Sequence, residues 1–519
     1  WKQHTFSGLF SIEKGEAKSS QEDVWKDDPL ANTNGQFGTA FGAVDGRTAA
    51  YESGTLGYVG RINYRFGEKY LAEVLFRSDA STKFAPENYW ANFYNISAGW
   101  VISEEEFFKV DGVDFLKLRF SHGKLGSDKI PLWNWLQRYS YQTGKGAVFG
   151  GNGGATTGMK MEKSPNRDAT WSAEYKNNVG IDARFLRSRL SATIEGFYYK
   201  GHDALIERTG NIPITVGGSV AAENFGRENN YGIEFELGWQ DKVNNFNYGV
   251  STRFSWSDGR VIQGNFNDID MLYPWKPRPN ASSDLGAWGY DYLGMFKTQA
   301  DIDNYVSQYN ITQVFDQSVD KLRPGMLYYR DVRGPLQSDG TFAGPDGIIN
   351  DNDLIQLAKR KDNHYTLGTT LRIGYKGFTA ESVITGSFGG YSEITERNKL
   401  NNDISRVYTN LPDIWGNVYD PVLNPTGTMP NPQWSSIYNQ PSSFWTVSAF
   451  RMRMASFNIG YKLPQRMTQY LRVSNARVYL SAMNPMSIYN PYSYKDGNGS
   501  AWDVYPNLRT YSFGINLTL

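Results

Sequence analysis

Cysteine is absent from this chain. That excludes a disulfide framework, a zinc–thiolate site and thiol catalysis. Neither charge sign is in excess, with 53 Lys plus Arg against 53 Asp plus Glu. A nucleic-acid partner needs a basic face, so the balance argues against one. Histidine is scarce: His4, His122, His202 and His364 are scattered and show no metal spacing. No nucleophile–base set stands out, which argues against an enzyme. Long apolar runs are missing too. Nothing approaches the roughly 18 residues of a membrane-spanning helix, and mean hydropathy is −0.53. A membrane β-barrel escapes that test, because its lipid-facing residues alternate with polar ones. No signal peptide stands at Trp1. The chain starts in mid-pattern and reads as a processed or partial product.

What is present is aromatic residues, at 15%, glycine, at 53 residues, and a period of two. Tyr511, Phe513, Ile515, Leu517 and Leu519 share one face of the last strand, and Ser512, Gly514, Asn516 and Thr518 the other. Ile233, Phe235, Leu237 and Trp239 alternate with Glu234, Glu236, Gly238 and Gln240. Leu116, Leu118 and Phe120 alternate with Lys117, Arg119 and Ser121. Such alternation marks strands with one apolar face. About fourteen such segments, of about nine to fourteen residues, exceed the usual strand of five or six. They fall at 4–13, 55–66, 69–79, 90–101, 115–123, 172–184, 188–200, 230–240, 245–258, 363–375, 378–389, 450–462, 475–486 and 509–519.

The connections sort by parity. Long ones follow the odd strands: 14–54, 80–89, 124–171, 201–229, 259–362, 390–449 and 487–508. Short ones, such as Gly67–Glu68, Phe185–Arg187 and Lys376–Gly377, follow the even strands. Outer-membrane barrels have this asymmetry, with short periplasmic turns and long extracellular loops. A soluble sandwich has no reason for it. The expected fold is therefore an all-β transmembrane antiparallel barrel, with 1–519 as one barrel domain. A helix is expected at Ser103–Lys109, from a capping box of Ser103 and Glu106. The 259–362 loop is too long to be structureless and is expected to hold strands near Gly289–Phe296 and Met326–Val332.

Short motifs then recur in one order. They are Gly57-Tyr-Val-Gly-Arg-Ile-Asn-Tyr64, Arg77-Ser-Asp-Ala-Ser-Thr-Lys-Phe-Ala-Pro86, Ser97-Ala-Gly-Trp100 and Phe115-Leu-Lys-Leu-Arg119. Asn178-Val-Gly-Ile-Asp182, Asn230-Tyr-Gly-Ile-Glu234, Asn458-Ile-Gly-Tyr-Lys-Leu-Pro464 and Arg509-Thr-Tyr-Ser-Phe-Gly-Ile-Asn-Leu-Thr518 follow. Nearly end to end, this resembles the C-terminal part of SusC/RagA-like TonB-dependent outer-membrane transporters. The resemblance implies a 22-strand barrel with a plug and a TonB box. These two and the first eight strands are expected upstream of Trp1. It also implies a SusD-like surface lipoprotein as lid, TonB as energy source, outer-membrane lipid as surroundings and oligosaccharides or peptides as cargo. It leaves room for a dimer of such SusC–SusD pairs. One departure is Leu519, where these barrels usually end in an aromatic residue. Rival readings are a passive pore of about fourteen strands and a surface adhesin.

Two sets of residues are candidates for binding. The family often carries a calcium-like loop, and Asp331, Asp346, Asn350 and Asp353 are its counterparts here, with Ca2+ the implied cation. About eleven inserted residues break the spacing, and Arg333 stands where an oxygen ligand belongs. An acidic surface turn is the plainer reading. The second set is loop tryptophans: Trp133, Trp135, Trp275, Trp288, Trp415 and Trp502 lie outside the strands, with Trp434 and Trp445. Indole faces stack on sugar rings and suit peptides; packing within the loops is the plainer reading for most. Arg61, Glu73, Arg119, Glu195, Glu234 and Glu236 fall on the polar face of the strands, a solvated or plug-facing wall.

Overall fold

The computed structural model describes residues 3–30, 37–150, 153–207, 219–394, 416–431, 438–492, 495–497 and 507–518. Fourteen long strands form one sheet. The first five are β1 (His4–Lys26), β2 (Val44–Phe66), β3 (Tyr70–Ser81), β4 (Trp90–Val101) and β5 (Val113–Ser127). β6 (Ser172–Phe185), β7 (Leu190–Ile206), β8 (Glu223–Val243) and β9 (Phe246–Gln263) follow. The rest are β10 (Tyr365–Tyr375), β11 (Phe378–Phe388), β12 (Arg451–Lys462), β13 (Asn475–Tyr489) and β14 (Thr510–Thr518). Each pairs with the next in chain order, and a short strand, Ala281–Ser282, hangs off β9. Among the described residues no ladder joins β1 to β14, so the sheet is open at both edges.

Register follows the alternation. Ile233 on β8 sits opposite Gly196 on β7 and Trp256 on β9. Residues directly opposite share a face, so the apolar sets of neighbouring strands merge into one belt. That belt is exposed: Phe6 is 64% exposed, Ile233 51% and Phe513 72%. Water does not tolerate so much contiguous apolar surface, whereas lipid makes it favourable. The sharp turns at the short-connection end of the sheet need unusual backbone. Lys376 and Gly377 both have positive φ, 44° and 91°, which is the twist a two-residue hairpin requires.

All fourteen expected strands are present, but several run past their expected ends. The 14–54 loop is mostly strand. β1 and β2 pair without a break from His4↔Phe66 to Lys26↔Val44. At 23 residues each, they span roughly 75 Å, well beyond a bilayer. Alternation fades in the upper half because both faces meet water there, so no apolar side is selected.

The helix expected at Ser103–Lys109 does not form. Only a 3-10 turn, Ile102–Glu104, is present, and its start has no side-chain cap. Glu105 is instead extended and pinned. Its carboxylate accepts from the Tyr70 hydroxyl at 2.6 Å, Lys69 Nζ at 2.9 Å and Trp100 Nε1 at 3.0 Å. These bonds hold the carboxyl down to about 2. A tertiary anchor has outcompeted the local capping pattern.

A second body stands on the long-loop end, built from 264–364 with 416–431 and 438–448. Its core is rich in aromatics: Trp445, Phe296, Tyr329 and Tyr305 are buried, together with aliphatic Ile349. Tyr292–Met295 pairs with Leu327–Tyr329, inside the two segments expected to be strands. Between them lies a helix the alternation did not suggest, α1 (Gln299–Tyr309). Thr298 and Asp301 form a capping box at its start, and Asn310 closes it with φ 52°.

Candidate functional site

The polar face of the sheet carries whole charges, and several of them pair. Arg119 on β5 reaches Asp182 on β6 at 3.2 Å and also Glu195 on β7. Gly180 lies beneath it, and a Cβ there would stand 2.6 Å from the guanidinium carbon. Arg253 meets Glu236 at 2.9 Å, and Arg77 meets both Asp79 and Glu13 at 2.9 Å. This face is concave. A hollow of about 690 Å³ is bordered by Glu195, Glu234, Glu236, Arg253, Arg451 and Arg453. Another of about 1160 Å³ lies at the short-turn end, between Arg189, Asp241, Arg372, Glu381 and Arg477. Wet, charged and concave, the face suits a guest of mixed charge. It offers no activated nucleophile among the described residues.

The tryptophans separate into two places. Trp275 and Trp288 come together, ring centroids 5.7 Å apart. Tyr273 and Phe342 join them, at 5.2 Å and 6.1 Å from Trp275. The Arg333 guanidinium lies over Trp275 at 5.6 Å and Phe342 at 5.0 Å. The Trp288 N–H is spent on the Leu285 carbonyl. Trp133 and Trp135 are elsewhere. Trp133 has φ 57° and stacks on Tyr51 of the β2 extension, and Trp135 lies under Arg167. Trp445 is fully buried core. Trp415, Trp434 and Trp502 lie outside the described residues.

The four oxygen candidates for a cation are mostly committed to backbone. Asp353 accepts from the N–H groups of Val332, Arg333 and Asn350 at 2.7, 3.1 and 2.9 Å. Asp331 Oδ2 takes the Gly347 N–H at 2.6 Å, Asp346 that of Ile348 and Asn350 that of Asn352. One oxygen, Asp331 Oδ1, is buried without a hydrogen bond. Calcium takes six to eight oxygens, and no group of three or more His, Asp or Glu is assembled for a metal among the described residues. This donor set does not fit a cation. The carboxylates organise the turn themselves, and Arg333 brings the positive charge, donating to the Leu354 carbonyl. Burial pushes the Asp353 carboxyl up to about 6, even against those three N–H donors.

A further buried network ties the loop body to the sheet. Asp258, at the top of β9, pairs with Arg360 at 2.7 Å and accepts from Ser282 at 2.9 Å. His364 lies between the Ser257 carbonyl at 2.6 Å and the Asp284 carboxylate at 2.9 Å. Burial raises the Asp284 carboxyl, but the N–H groups of Lys361 and Asp362, the His364 ring and the Gly286 N–H outweigh it, and the net shift is downward. Its members lie up to 107 positions apart, and no local pattern announces them.

Known proteins resemble this architecture. The chain is 25% identical over 491 residues to TonB-dependent receptor P26 of Formosa agariphila, covering 89% of this chain and 46% of that protein. It is 26% identical over 487 residues to TonB-dependent receptor SusC of Bacteroides thetaiotaomicron, covering 89% and 43%. Among solved structures, the RagAB peptide importer in its open-open state superposes with a TM-score of 0.71 at 18% identity. That match covers 100% of this chain and 53% of the other. No family model matches the chain. It spans about half the length of the relatives it matches. The fold is that of an outer-membrane β-barrel wall, with long loops outside and short turns in the periplasm, and the resemblance to SusC-like receptors holds along most of the chain.

Proposed function

We propose that this wall works in a SusC-like importer that moves oligosaccharides or peptides across the outer membrane, energised through TonB. The observation that carries the reading is the open fourteen-strand meander with a charged, concave inner face, superposable over its whole length on half of a peptide importer. An open sheet argues against a self-sufficient pore, since a barrel must close to hide its edges. In this reading the wall gives rigidity, the inner charges hold a plug, and the loop body forms part of the cargo vestibule beneath a SusD-like lipoprotein lid. The paired Trp275 and Trp288, with Arg333, are the aromatic surface best placed for cargo, and sugar rings or peptide side chains both suit it. No covalent chemistry is asked of any residue.

The test is uptake of labelled oligosaccharides and peptides by cells with and without the gene, each with and without a protonophore. Uptake that requires both the gene and the proton gradient is the expected result. Gene-dependent uptake that survives collapse of the gradient would mean a passive pore. No change in the uptake of either class on deletion would remove the importer reading.

A further inference from the structure

One row of the outer wall combines cations and aromatics in a way that neither folding nor transport explains. Tyr94 on β4 stands opposite Lys124 on β5. Lys124 stands opposite Tyr175 on β6, and Tyr175 opposite Lys200 on β7. Lys200 stands opposite Asn229 on β8, and Asn229 opposite Arg260 on β9. The row is therefore continuous across six strands and lies on a single face. That face is the lipid side, because Phe120, Ile194 and Ile233 share it and are each exposed by about half. The row lies at the long-loop end of the sheet, so it meets the outer leaflet.

The cations recur on every second strand, with Cα positions roughly 10 Å apart, twice the spacing of neighbouring strands. Lys200 and Arg260 are exposed and Lys124 half-buried. Among the described residues none of the three forms an ion pair, whereas Arg77, Arg119 and Arg253 on the inner face all do. Neighbouring rings position Lys200 and Arg260 instead, and Arg260 Nη1 also donates to the Asn280 carbonyl at 3.2 Å. Lys200 Nζ lies 5.6 Å over Tyr198, and Arg260 Nε donates to the Tyr231 hydroxyl at 3.3 Å. His202 meets Tyr175 edge-on at 5.5 Å. Tyr198, Tyr231 and Trp256 stand on the membrane side of the row and are linked ring to ring. Such rings settle at the level of lipid headgroups. Unpaired cations held there meet phosphate, and basic pockets at headgroup level bind anionic lipid.

We propose that the row Lys124, Lys200 and Arg260 binds the phosphates of outer-leaflet lipid headgroups, and that a headgroup bearing two phosphates bridges neighbouring cations. The site faces away from the inner wall and does not depend on the importer reading. The test is native mass spectrometry of the protein purified from outer membranes, titrated with bisphosphorylated lipid A or its dephosphorylated form. The phosphorylated lipid should bind at least tenfold more tightly, and the triple variant K124Q/K200Q/R260Q should lose that advantage. K14Q/K18Q/R47Q, on the protruding hairpin, should keep it. Heat-modifiable gel mobility reports whether each variant folds; if the triple does not, K200Q alone should weaken binding two- to threefold. Equal binding of the two lipids, full binding by the folded triple variant, or displacement of the lipid by millimolar inorganic phosphate would overturn the proposal.

Discussion

Ile233 in the wall and Trp445 in the loop body are both large and apolar, yet one is 51% exposed and the other fully buried. The two regions face different solvents. The wall has no core of its own. Its belt of exposed apolar side chains faces lipid, its inner strands satisfy their backbone strand to strand, and charges such as Arg119 with Asp182 and Arg253 with Glu236 pair on the inner face. The loop body is a small water-soluble fold on top, with buried aromatics, a capped helix and carboxylates that bind backbone amides. One chain thus obeys two partition rules, and the boundary runs through the buried Asp258–Arg360–His364 network.

Substitutions should therefore act differently on either side of that boundary. The largest effect is expected from Trp445→Ala, which empties a fully buried site and costs about 3–5 kcal/mol. The loop body should become protease-sensitive while the sheet keeps its heat-modifiable gel mobility; loss of both would merge the two regions into one cooperative unit. Next comes Ile233→Arg, which sets a charge against lipid at a cost of about 2–4 kcal/mol. Its neighbour Glu234→Gln, on the wet face, should stay within about 0.5 kcal/mol, as read from urea titrations in detergent.

A smaller effect is set by pH. The folded state keeps the Asp353 carboxyl protonated up to about 6, while an unfolded aspartate releases its proton near 4. Between those values the folded state holds a proton that the unfolded state lacks. Stability of the loop body should therefore fall as pH rises through that window, by about 3 kcal/mol, and level off above it. Hydrogen exchange of the core amides around Ile349 measures this, and Asp353→Asn should flatten the slope. The smallest effect is Thr298→Ala, which removes the cap of α1 at about 1 kcal/mol; exchange should quicken within Gln299–Tyr309 and nowhere in the wall.

The wall was legible because lipid on one side and water on the other write a period of two into the residues. Where that contrast ends, so did the reading: β1 continues to Lys26 and β2 starts at Val44, but both faces of that ribbon are wet. At Ser103 a local capping pattern lost to the tertiary bonds of Glu105. Thr298-Gln-Ala-Asp301 is a readable helix start that the dominant alternation obscured. Trp275 and Trp288 were legible as loop aromatics, but their meeting with Phe342 and Arg333 depends on how the loop body packs. The aspartates were legible as a cluster, and only the geometry shows them accepting backbone N–H groups.

The absence of cysteine makes the central claim easy to test, since any introduced thiol is the only one. Val422, 83% exposed on an outer loop, Gly377 in a short turn, and Ile233 in the belt can each be replaced by cysteine in turn. Intact cells are then treated with a membrane-impermeant maleimide. Val422→Cys should label on whole cells, Gly377→Cys only after the outer membrane is opened, and Ile233→Cys only after the protein is unfolded. Labelling of Ile233→Cys in the folded protein, or of Gly377→Cys from outside, would contradict a wall that crosses the outer membrane with its long loops facing the surroundings.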